Sequence, residues 1–283
     1  MHSGKLSVPC CYQGGKQRIA AEIVDRMVLS RPELANGDVR FYDLCCGSGA
    51  ISIELINRGV PPETITMVDA SSWGAFWKAI GEGSFDLEWL SRLLAEVPDD
   101  KSLVKDYASE LSKRKVGRHE AEIYPVLQAC SFGGKQIWYQ DGEWRNAFFR
   151  GYWKPKPTSV RKSPANTMQP GPKVLLGRIR RLAEECKGLC ALRADIHTIL
   201  DLELEEDAVV YVDPPYQGST GYAYGFDLNQ FIKIFRKTFN NALFVSEGMP
   251  LTPQSEQLEF KGAKGGISGI KRGKHEEWLT MFA

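Results

Sequence analysis

The chain has 283 residues, of which 43% are hydrophobic and 25% are charged, so it can form one large domain or two smaller ones around a buried core. This composition excludes collagen-like, low-complexity and wholly disordered proteins. Lysine and arginine total 36 against 35 acidic residues, a formal net charge of +1, which excludes a uniformly basic nucleic-acid coat protein.

Neither a membrane span nor a secretory signal is predicted. No apolar run reaches about 18 residues, and residues 1–16 lack the apolar stretch of a signal peptide. The seven cysteines include two adjacent pairs, Cys10-Cys11 and Cys45-Cys46, and neighbouring cysteines rarely form good disulfides. We therefore expect free thiols in a reducing cytoplasm.

The first part of the chain predicts a βαβ unit. Apolar residues at helical spacing favour an amphipathic first helix, and a short glycine-rich turn then separates a strand from a second helix. The predicted elements are a helix over 16–29, a strand over 39–44, a turn over 46–49, a helix over 50–59 and a strand over 64–70. This order is typical of parallel α/β sheets.

The same α/β alternation returns near the end of the chain. Apolar runs predict strands over 189–195, 208–213, 242–247 and 276–283, with a helix over 228–240. We therefore predict an α/β fold whose sheet-containing domain is discontinuous, formed by residues 1–71 and 187–283.

The middle of the chain predicts an insertion over 72–186. Residues 73–130 have the pattern of several short helices, whereas residues 131–172 are loop- or ribbon-like. Trp73 and Trp77 lie four residues apart, which predicts one buried face of a helix. The insertion is the candidate for recognising a partner.

Positive charge concentrates in this insertion. Residues 145–181 contain ten basic residues and no acidic one, with aromatic residues interleaved. Basic side chains neutralise phosphates, and aromatic rings stack on bases or wedge between them. A solvated basic loop over a local aromatic core explains the pattern as well. The predicted DNA contacts are Arg145, Arg150, Lys154, Lys156, Arg161 and Lys162.

The strongest chemical motif is Asp213-Pro214-Pro215-Tyr216, at the end of the apolar run 208–213. Ligands of open α/β sheets bind at the carboxyl ends of strands. The Asp213 carboxylate and the Pro214 carbonyl can each accept one N–H of an exocyclic amine. The prolines restrict φ and hold these acceptors in place, and Tyr216 offers a face for stacking. An ordinary strand-to-turn exit is the structural alternative.

A second motif, Asp43-Leu44-Cys45-Cys46-Gly47-Ser48-Gly49, follows the first predicted strand. Glycines there let the backbone approach a ligand at a helix N-terminus. The dinucleotide pattern GxGxxG fails because position 52 is serine. The shorter turn suits a sulfonium amino-acid nucleoside, which has no pyrophosphate.

Two further aspartates end predicted strands. Asp69 can accept both hydroxyls of a ribose. Asp195 can accept from an adenine amino group, but it is an equally good N-cap for the segment that follows. Before the first helix, the sequence Tyr12-Gln13-Gly14-Gly15-Lys16 can bring N–H groups and a cation to an anionic group, or it is a flexible loop.

The order of these motifs resembles that of the Dam-type α-group DNA adenine-N6 methyltransferases, across nearly the whole chain. The resemblance is specific at the glycine motif and at DPPY and poor across the insertion. It implies a Rossmann-like S-adenosylmethionine-dependent methyltransferase fold with an inserted, mainly helical target-recognition domain. The implied cofactor is S-adenosylmethionine, and the implied partner is double-stranded DNA in a bacterial cytoplasm, with the gene bacterial or viral.

The resemblance also implies residue roles. Tyr12 and Lys16 would hold the amino-acid part of the cofactor, and Asp69 and Asp195 its ribose and adenine. Asp43, Cys46, Gly47 and Gly49 would form the cofactor turn, although Cys45-Cys46 replaces the more usual aromatic–small pair. Asp213, Pro214, Pro215 and Tyr216 would be catalytic and hold the flipped base, and the segment 217–226 resembles the loop that closes on it.

Other functions remain open from the sequence. The same fold can act on cytosine N4 or on adenine in RNA, or serve as an inactive nucleic-acid-binding scaffold. Ser52 disfavours a nicotinamide oxidoreductase. Cys186, Cys190 and His197 lack the fourth ligand that zinc usually takes, so no metal is expected. The glycine-rich basic stretch 261–274 is a surface loop or a phosphate contact. The one-chain layout permits a monomer.

Overall fold

A computed structural model describes residues 4–216, 225–259 and 276–282. The fold is mixed α/β, with helices packed on both faces of a mostly parallel seven-stranded sheet, and it is compatible with the predicted Rossmann-like arrangement. None of the helices described is both long and apolar enough to cross a membrane.

The described strands are numbered in chain order. They are β1 Phe41–Leu44, β2 Ile65–Val68, β3 Trp138–Gln140, β4 Glu143–Arg145, β5 Cys190–Leu192, β6 Val209–Val212, β7 Ala242–Glu247, β8 Glu256–Leu258 and β9 Glu277–Phe282. Strands β3 and β4 form a separate antiparallel hairpin, and the other seven form the main sheet.

The helices follow the same convention. They are α1 Ala20–Ser30, α2 Glu33–Asn36, α3 Ala50–Asn57, α4 Ser72–Glu82, α5 Leu87–Ala95, α6 Val104–Leu111, α7 Glu120–Cys130, α8 Pro172–Glu185 and α9 Leu228–Thr238. Short 3₁₀ turns cover Pro62–Thr64, Phe132–Gly134 and Ile196–Asp201.

The order of strands in the main sheet is β5-β2-β1-β6-β7-β9-β8. The first five are parallel, and β9 runs antiparallel to its neighbours β7 and β8. The chain therefore reverses its direction of travel across the sheet between β1 and β6. In open α/β sheets such a switch point, at the carboxyl ends of the strands, is where ligands bind.

The alternation of side chains along each parallel strand supplies two apolar layers. In β1, Phe41 belongs to the core beneath α1, α3 and α4, whereas Tyr42 and Leu44 belong to the core beneath α9. Strand β6 is entirely apolar, and its four residues are 0% exposed, because helices cover both faces of the sheet. The rigid centre of the sheet thus holds the ends of β1 and β6 side by side.

Helix α4 belongs to the layer that covers the sheet, although the predicted insertion begins at residue 72. Its backbone contacts the backbone next to β2 and β5. A Cβ on Gly74 would lie 2.2 Å from the Asp69 carbonyl oxygen, and a Cβ on Gly81 would lie 2.1 Å from the Leu189 carbonyl oxygen. Trp73 and Trp77 are both buried, as their spacing predicts. The buried core continues from α4 into α5–α8, so residues 72–186 share the core of the sheet.

Candidate functional site

Five acidic side chains converge at the carboxyl ends of the parallel strands. Three come from β1, β2 and β6 or the residue just after them, one ends β7, and one begins the antiparallel β9, whose start lies at the same edge. These residues, here called the carboxylate cluster, are Asp43, Asp69, Asp213, Glu247 and Glu277. Four of them are less than 10% exposed. The cluster lies at the switch point between β1 and β6, and Asp213 directly follows a buried strand as predicted.

Lys16 is the cation that meets this cluster. Its Nζ lies 2.7 Å from a carboxylate oxygen of Asp213 and donates a hydrogen bond of 2.9 Å to the Gly14 carbonyl. The same Nζ lies 4.8 Å from the ring centroid of Tyr216. The resemblance assigns Lys16 to the cofactor, whereas the structure places it on the DPPY aspartate. A nitrogen donor therefore lies between a carboxylate and an aromatic face.

The charge state of Asp213 depends on its neighbours. Burial raises the pKa of this carboxyl to about 6, the Lys16 ammonium opposes that rise, and the charges of Glu277 and Glu247 add to it. Its backbone N–H donates to the Leu44 carbonyl at 3.2 Å, so the residue after β6 is joined to the last residue of β1. Asp213 is thus a fixed acceptor whose charge changes just below neutral pH.

Tyr216 is held at both its ring and its hydroxyl. The hydroxyl donates a hydrogen bond to Oε2 of Glu277, and burial raises the pKa of this phenol. Gly248 packs against the ring, because a Cβ at that position would lie 3.3 Å from Tyr216 Cδ2. The acidic residues Glu247 and Glu277 were not singled out from the sequence. For Glu247 the signal is the one that identified Asp69 and Asp213, an acidic residue at the end of an apolar run, whereas Glu277 begins its strand.

The predicted glycine turn joins β1 to α3 and is tied to the end of β2. Oδ2 of Asp69 accepts a hydrogen bond of 2.8 Å from the Gly47 N–H, and Oδ1 accepts from the N–H and hydroxyl of Ser71 at 2.9 and 2.5 Å. A carboxylate has about four acceptor positions, and these bonds occupy three. Binding of both ribose hydroxyls by Asp69 therefore requires one of these bonds to open.

Packing within the protein explains why glycines occupy this turn. Gly47 and Gly49 have φ values of 50° and 74°, a region that favours glycine. A Cβ on Gly47 would lie 2.9 Å from the Tyr12 ring, and one on Gly49 would lie 2.3 Å from Trp77. The indole N–H of Trp77 donates to the Gly47 carbonyl at 2.9 Å. Tyr12 thus lies against Gly47 of the turn, and the resemblance assigns both residues to the cofactor.

Asp43 and Ser52 form a buried pair beneath the turn. The Ser52 hydroxyl donates to Oδ2 of Asp43 at 2.6 Å, which joins β1 to α3. Burial raises the pKa of Asp43 to about 7, and the charges of Asp213 and Asp69 raise it further, against the lowering effect of the Ser52 hydrogen bond. Ser52, which interrupts the dinucleotide pattern, therefore supports the strand that leads to the turn. Cys46 is buried at the same turn.

Asp195 is the N-cap of the 3₁₀ turn Ile196–Asp201, as one of its two sequence interpretations predicts. Its carboxylate accepts from the His197 N–H at 2.8 Å and lies 2.6 Å from the His197 ring Nδ1. These contacts lower the pKa of Asp195 against the effect of burial, which raises it. More than half of the Asp195 side chain is exposed, so it can still accept from a ligand.

The predicted DNA-contacting residues differ in what they touch. Arg150 bonds to protein acceptors, with hydrogen bonds of 2.9 Å to Gln169 Oε1 and 3.3 Å to the Ser131 carbonyl. Arg145 forms an ion pair of 3.2 Å with Glu143. Arg161 and Lys162 contact backbone carbonyls of their own loop. Lys154 and Lys156 lie on the exposed surface.

Two predicted loops fall mainly or wholly outside the description. Of the segment 217–226, only the last two residues are described, and the stretch 261–274 lies entirely outside. Within the described ranges, no group of His, Cys, Asp and Glu side chains is arranged to hold a metal ion.

No protein-family model matches the chain, and no curated protein matches it either. The interpretation of the site therefore depends on its geometry and on the motifs of the chain itself.

Proposed function

We propose that the protein transfers a methyl group from S-adenosylmethionine to the N6 amine of an adenine flipped out of duplex DNA. The observation that carries this proposal is the environment of the Lys16 ammonium. A nitrogen donor lies 2.7 Å from Asp213 and over the Tyr216 ring. An exocyclic amine on a stacked base requires the same two partners, one for its N–H and one for its ring.

The donor groups of the site suit the proposed cofactor. S-adenosylmethionine would supply an electrophilic methyl group on a positively charged sulfonium. The carboxylate cluster favours a cation, and Asp69 has about one acceptor position left for a ribose hydroxyl. Helix α3 begins directly after the glycine turn, and a helix N-terminus favours a carboxylate such as that of the methionine part.

Each residue of the DPPY motif has a chemical role in this proposal. Asp213 accepts one N–H of the amine, and the Pro214 carbonyl accepts the other. Together they draw the nitrogen towards a tetrahedral geometry. Its lone pair is then no longer delocalised into the ring, so the nitrogen becomes nucleophilic. Tyr216 stacks on the base. Lys16 must move away before a base can stack on this face of Tyr216, because its ammonium lies 4.8 Å from the ring centroid. The nitrogen loses its proton only after it has become cationic.

The partner surface is the basic part of the chain between residues 145 and 181. Lys154 and Lys156 are exposed, and the stretch that contains them has no acidic residue. Phosphate contacts of this kind position a protein on a duplex without reading its sequence. The target base must leave the stack, since its amine is otherwise inaccessible to the methyl donor.

The decisive experiment is transfer of radiolabelled methyl groups from S-adenosylmethionine to unmodified duplex DNA, followed by nucleoside analysis. We expect label in N6-methyldeoxyadenosine with the wild-type protein and none with Asp213→Asn, which keeps the size of the side chain and loses its charge. Label in cytosine instead of adenine, or transfer to RNA instead of DNA, would show that the proposed acceptor is wrong. Absence of both transfer and cofactor binding would favour an inactive scaffold.

A further inference from the structure

We infer that Glu277 is a positioning residue for the proposed reaction: its carboxylate fixes the orientation of the Tyr216 ring through the phenolic hydroxyl. This inference deepens the proposed function and rests on it. The hydrogen bond from the Tyr216 hydroxyl to Glu277 Oε2 joins two residues 61 positions apart in the chain. It links the DPPY motif to β9, which lies between β7 and β8 in the main sheet.

The position of Glu277 makes it a firm anchor. It is the first residue of β9 and is 9% exposed. Strand β9 pairs with β7 on one side and β8 on the other, so its backbone is held by two ladders. Hydrogen bonds to a charged acceptor are about twice as strong as neutral ones. The phenol is therefore tied to a buried acceptor on a strand that is paired on both sides.

The ring needs such an anchor because the motif leaves it at the end of a strand. Tyr216 follows two prolines, which donate no backbone hydrogen bond. Its contacts include Gly248 against Cδ2, the Lys16 ammonium over the ring, and Glu277 at the hydroxyl. When Lys16 leaves for the incoming amine, Gly248 and Glu277 are the two of these contacts that remain.

Glu277 also acts on the charge of the site. Its carboxylate raises the pKa of Asp213, so loss of its charge makes Asp213 easier to ionise. Glu277→Gln removes the charge and keeps an oxygen acceptor for the phenol, whereas Glu277→Ala removes both. Comparison of these two variants separates orientation of the ring from electrostatics.

The test measures methyl transfer with Glu277→Ala, Glu277→Gln, Tyr216→Phe and the double variant Tyr216→Phe/Glu277→Ala. We expect kcat to fall about tenfold in Glu277→Ala and in Tyr216→Phe, a loss that corresponds to one hydrogen bond. Glu277→Gln should retain kcat within about threefold. KM for S-adenosylmethionine should stay unchanged in Tyr216→Phe and should rise to a similar extent in Glu277→Gln and Glu277→Ala, since both lose a charge that favours the cationic cofactor. The double variant should be no slower than either single variant, since both remove the same bond.

Unchanged kcat in Glu277→Ala, or losses that multiply in the double variant, would overturn the inference. A second measurement does not depend on activity. A double-mutant cycle of urea unfolding should show coupling between positions 216 and 277 of about fivefold in the unfolding constant. Absence of coupling would also overturn the inference. Coupling without methyl transfer by the wild-type protein would reject the proposed function and, with it, the positioning role, while leaving the contact established.

Discussion

The ammonium of Lys16 and the carboxylate of Asp213 lie 2.7 Å apart and are both largely shielded from water. This ion pair joins the loop before α1 to the end of β6, across the switch point of the sheet. Its strength is limited, because the desolvation of both charges opposes their attraction. The pair can therefore open when another donor reaches Asp213.

The first prediction concerns the pH dependence of transfer. In the proposed reaction the amine binds only to ionised Asp213, so kcat/KM should rise with pH and level off above the pKa of about 6. The Lys16 ammonium lowers this pKa. Lys16→Met should therefore move the acidic limb of the profile to higher pH. Lys233→Met, on the exposed surface of α9, is the matched control and should leave it in place. A limb that stays unchanged in Lys16→Met would contradict the assignment of that limb to Asp213.

A second prediction concerns stability and Asp43. The folded state raises the pKa of this carboxyl to about 7, so the folded protein binds the proton more tightly than the unfolded chain does. The resulting stabilisation is present at low pH and is lost as pH rises from about 4 to about 7. Between about pH 5 and about pH 8, the wild type should lose about 2 kcal/mol more than Asp43→Asn does. Urea unfolding at both pH values measures this difference, and parallel losses in the two proteins would refute it.

A third prediction concerns the glycine turn. Gly49→Ala must adopt a positive φ and also place its Cβ 2.3 Å from Trp77. Gly59 has a φ of 97° and no atom near the Cβ position, so Gly59→Ala measures the backbone cost alone. We expect a loss of about 1 kcal/mol for Gly59→Ala and on the order of 3 kcal/mol or more for Gly49→Ala. Equal losses in denaturant unfolding would show that Trp77 moves away at no cost.

A fourth prediction concerns the basic surface. The double variant Lys156→Gln/Lys162→Gln should weaken binding to duplex DNA and reduce the slope of log K against log salt by about 2. The matched control is Lys233→Gln/Lys237→Gln on α9, whose last turn lies near the amino end of β7, far from the carboxylate cluster. The control should keep the wild-type slope. Filter binding at several salt concentrations distinguishes the two variants, and equal slopes would exclude the basic loop from the interface.

The sequence predicts the central strands well because burial on both faces requires continuous apolar runs. Strand β8 escapes prediction, since Glu256–Leu258 has one buried residue and no apolar run. Helix α4 was assigned to the insertion, because helical periodicity does not reveal which surface a helix packs on. Gly74 and Gly81, seven residues apart on one face, are the signal that a backbone approaches this helix closely.

The site is predictable where its residues end strands that the sequence reveals. Asp69 and Asp213 satisfy that rule, and the structure places them at one edge. The partner of Lys16 is not predictable, because a loop before the first helix can reach several parts of the sheet. Glu277 was missed because its strand is antiparallel. In such a strand the first residue, rather than the last, lies at the carboxyl edge of the parallel strands.

The close packing around Gly49 has a consequence for how descendants of this chain would change. The space that a Cβ would need there is filled by Trp77, so selection for folding alone would preserve the glycine. Asp213 and Lys16 contribute buried charges, whose removal as a pair need not weaken the fold. If the proposed function holds, a lineage that lost methyl transfer would keep its glycine turn, while the ion pair could be replaced by apolar residues. The residues at positions 16 and 213, rather than the residue at position 49, would therefore distinguish active from inactive relatives.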